Sequence, residues 1–266
     1  MITRVVPVGD AHSGYRGGLA PKRWINKEGD QWLPGPTANL VRGIFEKARR
    51  KIYKGADEIV AVYGGDLIHG NRNPHECITT SLGEQADIFQ ESVLTLNNRT
   101  SASYAIMGSG YHRDDDEIIE DRIARELGCF GKQAYPKLEI QFQDTLWQFQ
   151  HKGPTTGYKS WTEGNVMMSV MKDEYFNSLR DGRRCPDHFV WFHFHAFRHV
   201  VYVPEPGVQI HGYSMPALCV ANEYAKIAVK SLQYADVGLI YWDIEDDKVT
   251  EHIAFEKFDT VKRLKH

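Results

Sequence analysis

Four cysteines in 266 residues are few, and Cys77, Cys129, Cys185 and Cys219 never fall at CxxC spacing. That excludes a zinc knuckle and a disulfide framework and leaves buried or incidental thiols. Long apolar runs are missing too: no stretch approaches the ~20 residues of a membrane span. The opening "MITRVVPVGD" lacks an apolar core followed by a small-residue cleavage site. The expectation is a cytoplasmic, reducing setting with no membrane partner. Nor does charge of either sign dominate, because 32 Lys and Arg face 35 Asp and Glu for a net charge of −3. Bulk electrostatics therefore provide no drive toward nucleic acid or acidic lipid. There are no repeats and no Gly/Ser/Pro linker, so residues 1–266 read as one domain of ordinary globular composition. No GxSxG and no Cys/His arrangement appears that would argue for a Ser or Cys nucleophile.

What the chain does have is 12 histidines, several at the ends of apolar runs. The first half alternates. "TRVVPVGDAH", "DEIVAVYGGDLIHG" and "SASYAIMGSGYH" are buried strands feeding polar loops. Between them the spacing predicts a helix from an N-cap at Thr37 to Gly55 and a second over part of 81–97. "DDEIIEDRIARELG" follows as a third, with an acidic first turn and a glycine stop. A βαβαβα order implies a parallel sheet whose functional loops lie at the carboxyl ends of its strands.

The second half is antiparallel in style. "KLEIQFQDTLWQFQHK" turns near Asp144, and "SVMKDEYFNSLRDG" is a helix stopping at Gly182. "HVVYVPEPGVQIHGYSM" and "VGLIYWDIEDDKVTEHIAFEKF" are hairpins turning at "PEPG" and "EDDK". Two sheets packed face to face with helices outside satisfy both halves.

The candidate site follows from the strand ends. "GDAHSG" offers Asp10 and His12, "GGDLIHG" offers Asp66, "GSGYHRD" offers His112, "FQHKG" offers His151, and "FVWFHFHAF" offers His193 and His195. Read as a strand, the last run sends His193 and His195 to one face, since residues i and i+2 point the same way. Singly, each residue has a bland reading: Asp10 after Gly9 could cap a turn, and His151 could be an exposed strand end. Five strand ends carrying imidazole and carboxylate together point to metal binding. That mixed donor set suits Mn, Fe, Zn or Ni better than Ca or Mg alone. A carboxylate shared by two ions would hold them at roughly 3.5–4 Å.

In order, GDAHSG, GGDLIHG, GSGYHRD, QHK and HFH resemble the motifs DxH, GDxx, GNH[DE], H and GHxH of the calcineurin-like metallophosphoesterase superfamily. The resemblance implies an α/β fold, a four-layer α/β/β/α sandwich of two mixed sheets flanked by helices. It also implies two divalent metal ions, Mn first, with Fe, Zn, Ni and Mg as alternatives. By the same resemblance Asp10, His12 and His195 hold one ion, His151 and His193 the other, and Asp66 bridges them. His112 becomes the general acid of a phosphoester hydrolysis in which two cations turn a shared water into hydroxide.

Three departures stand out. The Asn of GNH is missing, with Ser109 its nearest analogue; Arg113 follows His112 where an acid is usual; and Phe192 occupies the Gly of GHxH. Substrate-side candidates are His69 in the loop after Asp66 and Arg113, whose guanidinium matches phosphate oxygens. The expected substrate is a phosphodiester, with nucleic acid as a partner and a nuclease activity. The alternatives are a phosphomonoesterase acting on small molecules or proteins, and a catalytically weak metal-binding interaction module.

Overall fold

A computed structural model describes residues 1–110, 118–154, 164–220, 234–246 and 248–259. Along the chain run β1 (Thr3–Val8), β2 (Trp24–Ile25), β3 (Gln31–Trp32), α1 (Pro36–Ile52), β4 (Glu58–Tyr63), α2 (Leu82–Asn97), β5 (Ala102–Ile106), α3 (Ile119–Glu126) and β6 (Ala134–Tyr135). Then follow β7 (Lys137–Phe142), β8 (Thr145–Lys152), α4 (Asn165–Asp181), β9 (His188–Phe192), β10 (Arg198–Tyr202), β11 (Ile210–Ser214), β12 (Tyr234–Glu245) and β13 (Lys248–Asp259). No helix among the described residues is long and apolar enough to cross a membrane.

Two large sheets result. One has the order β13-β12-β1-β4-β5-β6, the other β10-β11-β9-β8-β7, and β2 with β3 forms a small separate ribbon. In the first sheet β1, β4, β5 and β6 are mutually parallel, while β12 joins β1 antiparallel. The second is mixed: β9 is parallel to both neighbours, whereas the β7–β8 and β10–β11 pairs are antiparallel. Both expected hairpins form, β10–β11 and β12–β13.

The layers follow from which face each strand buries. Val5, Val60, Val62, Ile106, Ile240 and Trp242 of the first sheet pack against Trp147, Phe149, Val190, Phe192 and Tyr213 of the second. The other face of the first sheet is covered by α1, α2 and α3 through Val41, Phe45, Phe89, Val93 and Ile123. Met167 and Met171 of α4 close the outer face of the second sheet over Phe189 and Trp191. Strand β9 shows the alternation plainly: Phe189 and Trp191 meet α4 while Val190 and Phe192 enter the space between sheets. The architecture is therefore the four-layer α/β/β/α sandwich expected from the sequence.

Helix bounds depart from expectation in several places. Helix α1 ends at Ile52, capped by Tyr53 and short of Gly55, and α4 begins at Asn165, upstream of the expected Ser169. The first helix is capped by Gly35, with Pro36 at its first position, and Thr37 lies inside it. Proline there has a preset φ and lacks an N–H that would be unpaired anyway, so it starts the helix earlier than a threonine cap would. Gly182, by contrast, ends α4 at φ 64° as anticipated. The third helix begins at Ile119, and "DDDE" at 114–117 lies outside the described residues.

Phe192 of the second sheet lies between the sheets with its ring against the loops that follow β1 and β4. A Cβ on Gly64 would sit 2.2 Å from the Phe192 ring, and one on Gly9 2.3 Å from it. The glycines preceding the two acids are thus required by an aromatic ring from the opposite sheet. Gly64→Ala should destabilise the protein by about 1–3 kcal/mol through overpacking. In a Phe192→Leu background the added methyl should cost less, read as a smaller shift in urea midpoint. An equal cost in both backgrounds would show that the ring is not what fixes glycine there.

Candidate metal centre

The loops leaving β1, β4, β5 and β9 converge at one end of the sandwich, where β8 also ends. The β1 and β4 loops extend the parallel ladder beyond the strands: Asp10 N–H donates to Gly65 O at 3.0 Å and His12 N–H to Asp66 O at 3.1 Å. Among the described residues eight non-glycine positions have positive φ, and five of them are predicted ligands. They are Asp10 (47°), His12 (42°), Asp66 (47°), His193 (80°) and His195 (54°). Left-handed backbone costs of order 1–3 kcal/mol per non-glycine residue and persists where the surroundings enforce it.

This corrects the expectation for "FVWFHFHAF". Strand β9 ends at Phe192, and His193 and His195 lie in the bend that follows. Strand alternation does not aim them; two left-handed residues do. The bend is held from two neighbouring strands of the opposite sheet, β1 through the loop that follows it and β12. Asp10 Oδ2 accepts the His193 N–H at 2.8 Å, and Asp236 Oδ2 at the start of β12 accepts the Phe197 N–H at 2.7 Å. Asp236 N–H in turn donates to His195 O at 3.1 Å.

Side chains from the five elements then meet. His151 Nε2 lies 3.0 Å and His193 Nδ1 3.8 Å from Asp66 Oδ2, and His195 Nε2 lies 3.4 Å from Asp10 Oδ1. Three sets place ligand atoms within 4.8 Å of one another: Asp10, His12 and Asp66; Asp66, His151 and His193; and His12, His195 and Cys219. Asp66 belongs to two sets, the position a bridging carboxylate needs. His193 and His195 fall in different sets.

The packing around Asp66 leaves it little freedom. Ser109 donates to it through its backbone N–H (2.6 Å to Oδ1) and its hydroxyl (3.0 Å to either oxygen). A Cβ on Gly108 would come within 2.4 Å of Asp66 Oδ1, and one on Gly65 (φ 81°) within 2.9 Å of His151 Nδ1. Glu120 of α3, fully buried, accepts the Gly108 N–H at 3.2 Å. Ser109, where the related motif has Asn, is turned onto the shared carboxylate.

Asp10, Asp66 and His151 are at most 2% exposed, while the His193 side chain is 33% exposed and gives the cluster an outlet. Two carboxylates buried together are unfavourable unless positive charge neutralises them. Among the described residues Asp10 Oδ1 and His151 Nε2 are shut off from solvent without a well-directed hydrogen bond. Lone pairs of two carboxylates and four imidazoles facing a common space fit a borderline divalent cation.

Protons compete for the same space. Burial pushes the His151 imidazole down, yet the Asp66 carboxylate and, further off, Asp10 raise it to about 9. Burial likewise disfavours a charged His195, and Cys219 with Asp10 raises its pKa well above the usual range.

The remaining sequence candidates divide. His69 is buried behind His12 (ring centroids 5.7 Å apart), is stacked on Tyr15 at 4.9 Å, and has Nε2 3.5 Å from Glu76. The structure therefore places it behind the ligand loop, not exposed on it. His112 and Arg113 lie outside the described residues. Sequence reasoning missed Cys219, Glu120 and Asp236. A lone cysteine far from any motif carried no signal, and neither acid stands at a spacing that would separate it from a surface acid.

No family model matches the chain. No curated protein matches it either. Among solved structures it is similar to Vps29 of Cryptosporidium parvum, at 13% identity over 97% of this chain and 99% of that one, with a TM-score of 0.40. Zinc-bound Vps29 of Entamoeba histolytica is similar at 10% identity over 96% and 98%, TM-score 0.42. So is Yfce, a phosphoesterase from E. coli, at 12% identity over 95% and 100%, TM-score 0.41.

With the centre stripped by chelator, His151 makes stability depend on pH in a defined direction. Its folded pKa of about 9 lies above the unfolded value near 6.5, so its contribution is full below pH 6.5 and is lost as pH rises through 9. Chelated protein should lose stability between pH 6.5 and 9, on the order of a few kcal/mol from this group. His151→Gln should flatten that part of the profile in urea titrations; an unchanged slope would rule out a charged His151. The strand-end residues singled out from the sequence that lie among the described residues, Asp10, His12, Asp66, His151, His193 and His195, are thus gathered at one end of a four-layer α/β/β/α sandwich.

Proposed function

We propose that the chain is a metal-dependent phosphoesterase. Asp10, His12 and His195 would hold one divalent cation, His151 and His193 a second, and Asp66 both. One observation carries this reading: Asp66 is shared by two ligand groups, and Asp10, His12, His193 and His195 around it all have left-handed backbone. A bound pair of cations supplies Lewis acidity, making hydroxide accessible near neutral pH and neutralising phosphoryl oxygens.

The chain's own residues do the rest. Ser109 and the Gly65/Gly108 cradle keep the Asp66 carboxylate in place. Asp10 divides its oxygens between the His193 amide and the ligand space. The exposed edge of His193 is where a phosphoryl group reaches the centre. His112 would donate the proton that the departing alkoxide needs, a role suited to imidazole near neutral pH. Arg113 beside it would bind a phosphate oxygen.

Within this class we favour a phosphodiester, and nucleic acid in particular, because the cluster opens to solvent at the partly exposed His193, where an extended substrate can approach. The phosphomonoesterase reading differs only in substrate. Mn is the first choice of metal, with Zn, Fe and Ni served by the same donors.

Chelated protein reloaded with Mn, Zn, Ni or Mg should hydrolyse chromogenic diesters or labelled nucleic acid faster than monoesters. Asp66→Asn should abolish that turnover and lower metal content, since an uncharged amide compensates two cations poorly. Two ions per chain with no turnover on any ester would overturn the enzymatic reading in favour of a binding module. Unchanged metal content in Asp66→Asn would remove Asp66 as the bridge.

His112 is tested by leaving-group dependence. A p-nitrophenolate departs without a proton and an alkyl or nucleoside alkoxide does not. His112→Ala should therefore lower kcat ten- to a hundredfold more on alkyl or nucleotide diesters than on p-nitrophenyl esters, within the range of general acid catalysis, at about 10²–10⁴-fold. Metal content should stay at the wild-type level. Equal losses on both substrates would make His112 a stabiliser of phosphoryl charge, and loss of an ion would make it a ligand.

A further inference from the structure

An imidazole can ligate a cation through one nitrogen only when the other nitrogen holds the proton, and the acceptor of that proton fixes ring and tautomer. In one half of the centre the acceptor is a backbone carbonyl: His151 Nδ1 lies 2.8 Å from Gly64 O, leaving Nε2 toward Asp66. In the other half, His195 Nε2 faces Asp10 Oδ1 at 3.4 Å, and Nδ1 lies 3.6 Å from the Cys219 sulfur. That distance is within reach of a hydrogen bond to sulfur.

Cys219 is buried at 2% exposure and its backbone is firmly placed. Leu218 N–H donates to Asp10 O at 3.1 Å, Val220 N–H donates to Gly17 O at 3.0 Å, and Cys219 is bridged to Gly18. The segment carrying the thiol is thus stitched to the loop that supplies Asp10 and His12. Ala217 N–H donates to Asp236 O at 3.0 Å, and Asp236 holds the His195 bend. Sulfur and imidazole are positioned by the same short stretch of backbone.

We propose that Cys219 is the positioning residue of His195: its sulfur accepts the Nδ1 proton and keeps Nε2 aimed at the cation shared with Asp10 and His12. The inference rests on the metal-centre reading. It makes the two halves unequal, since sulfur is a weaker and more polarisable acceptor than the carbonyl serving His151.

Cobalt(II) added to the chelated full-length chain separates the outcomes. Wild type should bind two ions without a thiolate-to-cobalt charge-transfer band. Cys219→Ala should bind one of the two about 10–100-fold more weakly, the usual effect of removing a hydrogen-bond partner of a ligand. The other ion should be unaffected, and Cys219→Ser, which keeps an acceptor, should recover most of the loss. Nitrogen-15 spectra of the loaded wild-type protein should show His195 protonated at Nδ1, a readout that survives if Cys219→Ala fails to fold. A charge-transfer band lost in Cys219→Ala would make the sulfur a direct ligand and overturn the proposal. Two unaltered affinities in Cys219→Ala, or an Nε2-protonated His195, would overturn it while leaving the metal centre intact. Failure of wild type to bind cobalt at all would overturn the metal-centre reading and this proposal with it.

Discussion

Two carboxylates, Asp10 and Asp66, are buried side by side at the seam between the sheets, and the rest of the site answers to that burden. Each is tolerable because hydrogen-bond donors and imidazoles are aimed at it. His193 lends its amide to Asp10, and Ser109 lends both amide and hydroxyl to Asp66. His151 and His195 bring imidazoles whose proton affinity rises in response. No single element could satisfy both acids. The parallel strands β1 and β4 deliver them together with His12, and the opposite sheet delivers His151, His193 and His195. The site is thus a property of the sandwich, and closing the sandwich is what assembles it.

That division explains how much the sequence disclosed. Asp10, His12, Asp66 and His151 could be picked out because each follows or ends an apolar run, and the carboxyl ends of such runs gather in one place. Which of His193 and His195 belongs with which acid was not visible from spacing. Period-two alternation describes a strand, and the pattern "FVWFHFHAF" does not reveal that β9 stops at Phe192. Thr37 misled for a similar reason, since Gly35 and Pro36 upstream make an alternative start that propensity alone does not rank. Phe192 looked like a departure from the glycine of the related motif. The structure shows where that volume went: the ring occupies space left by Gly9 and Gly64. Contacts between residues more than a hundred positions apart have no local trace.

A net charge of −3 says little about what such a centre attracts. The negative charge that matters here is sequestered among imidazoles. A cation pair bound in it would reverse the local sign, so that an anionic phosphoester would meet a positive focus on a mildly acidic surface. Bulk composition and site potential are separate quantities.

The left-handed backbone of the five loop residues also restricts which side chains the centre could ever use. Branched and bulky residues are penalised at positive φ, whereas Asn, Asp and His are the non-glycine types that enter it most readily. Asp and His are also strong oxygen and nitrogen donors. At Asp10, His12, Asp66, His193 and His195 the fold therefore filters the amino-acid alphabet before chemistry does, and what passes the filter is close to a list of metal ligands. Alanine at these positions both deletes a donor and leaves a Cβ in strained backbone, while glycine deletes the donor and relieves the strain. The difference between the two substitutions measures how much of each loop's shape is held by conformation and how much by what it binds.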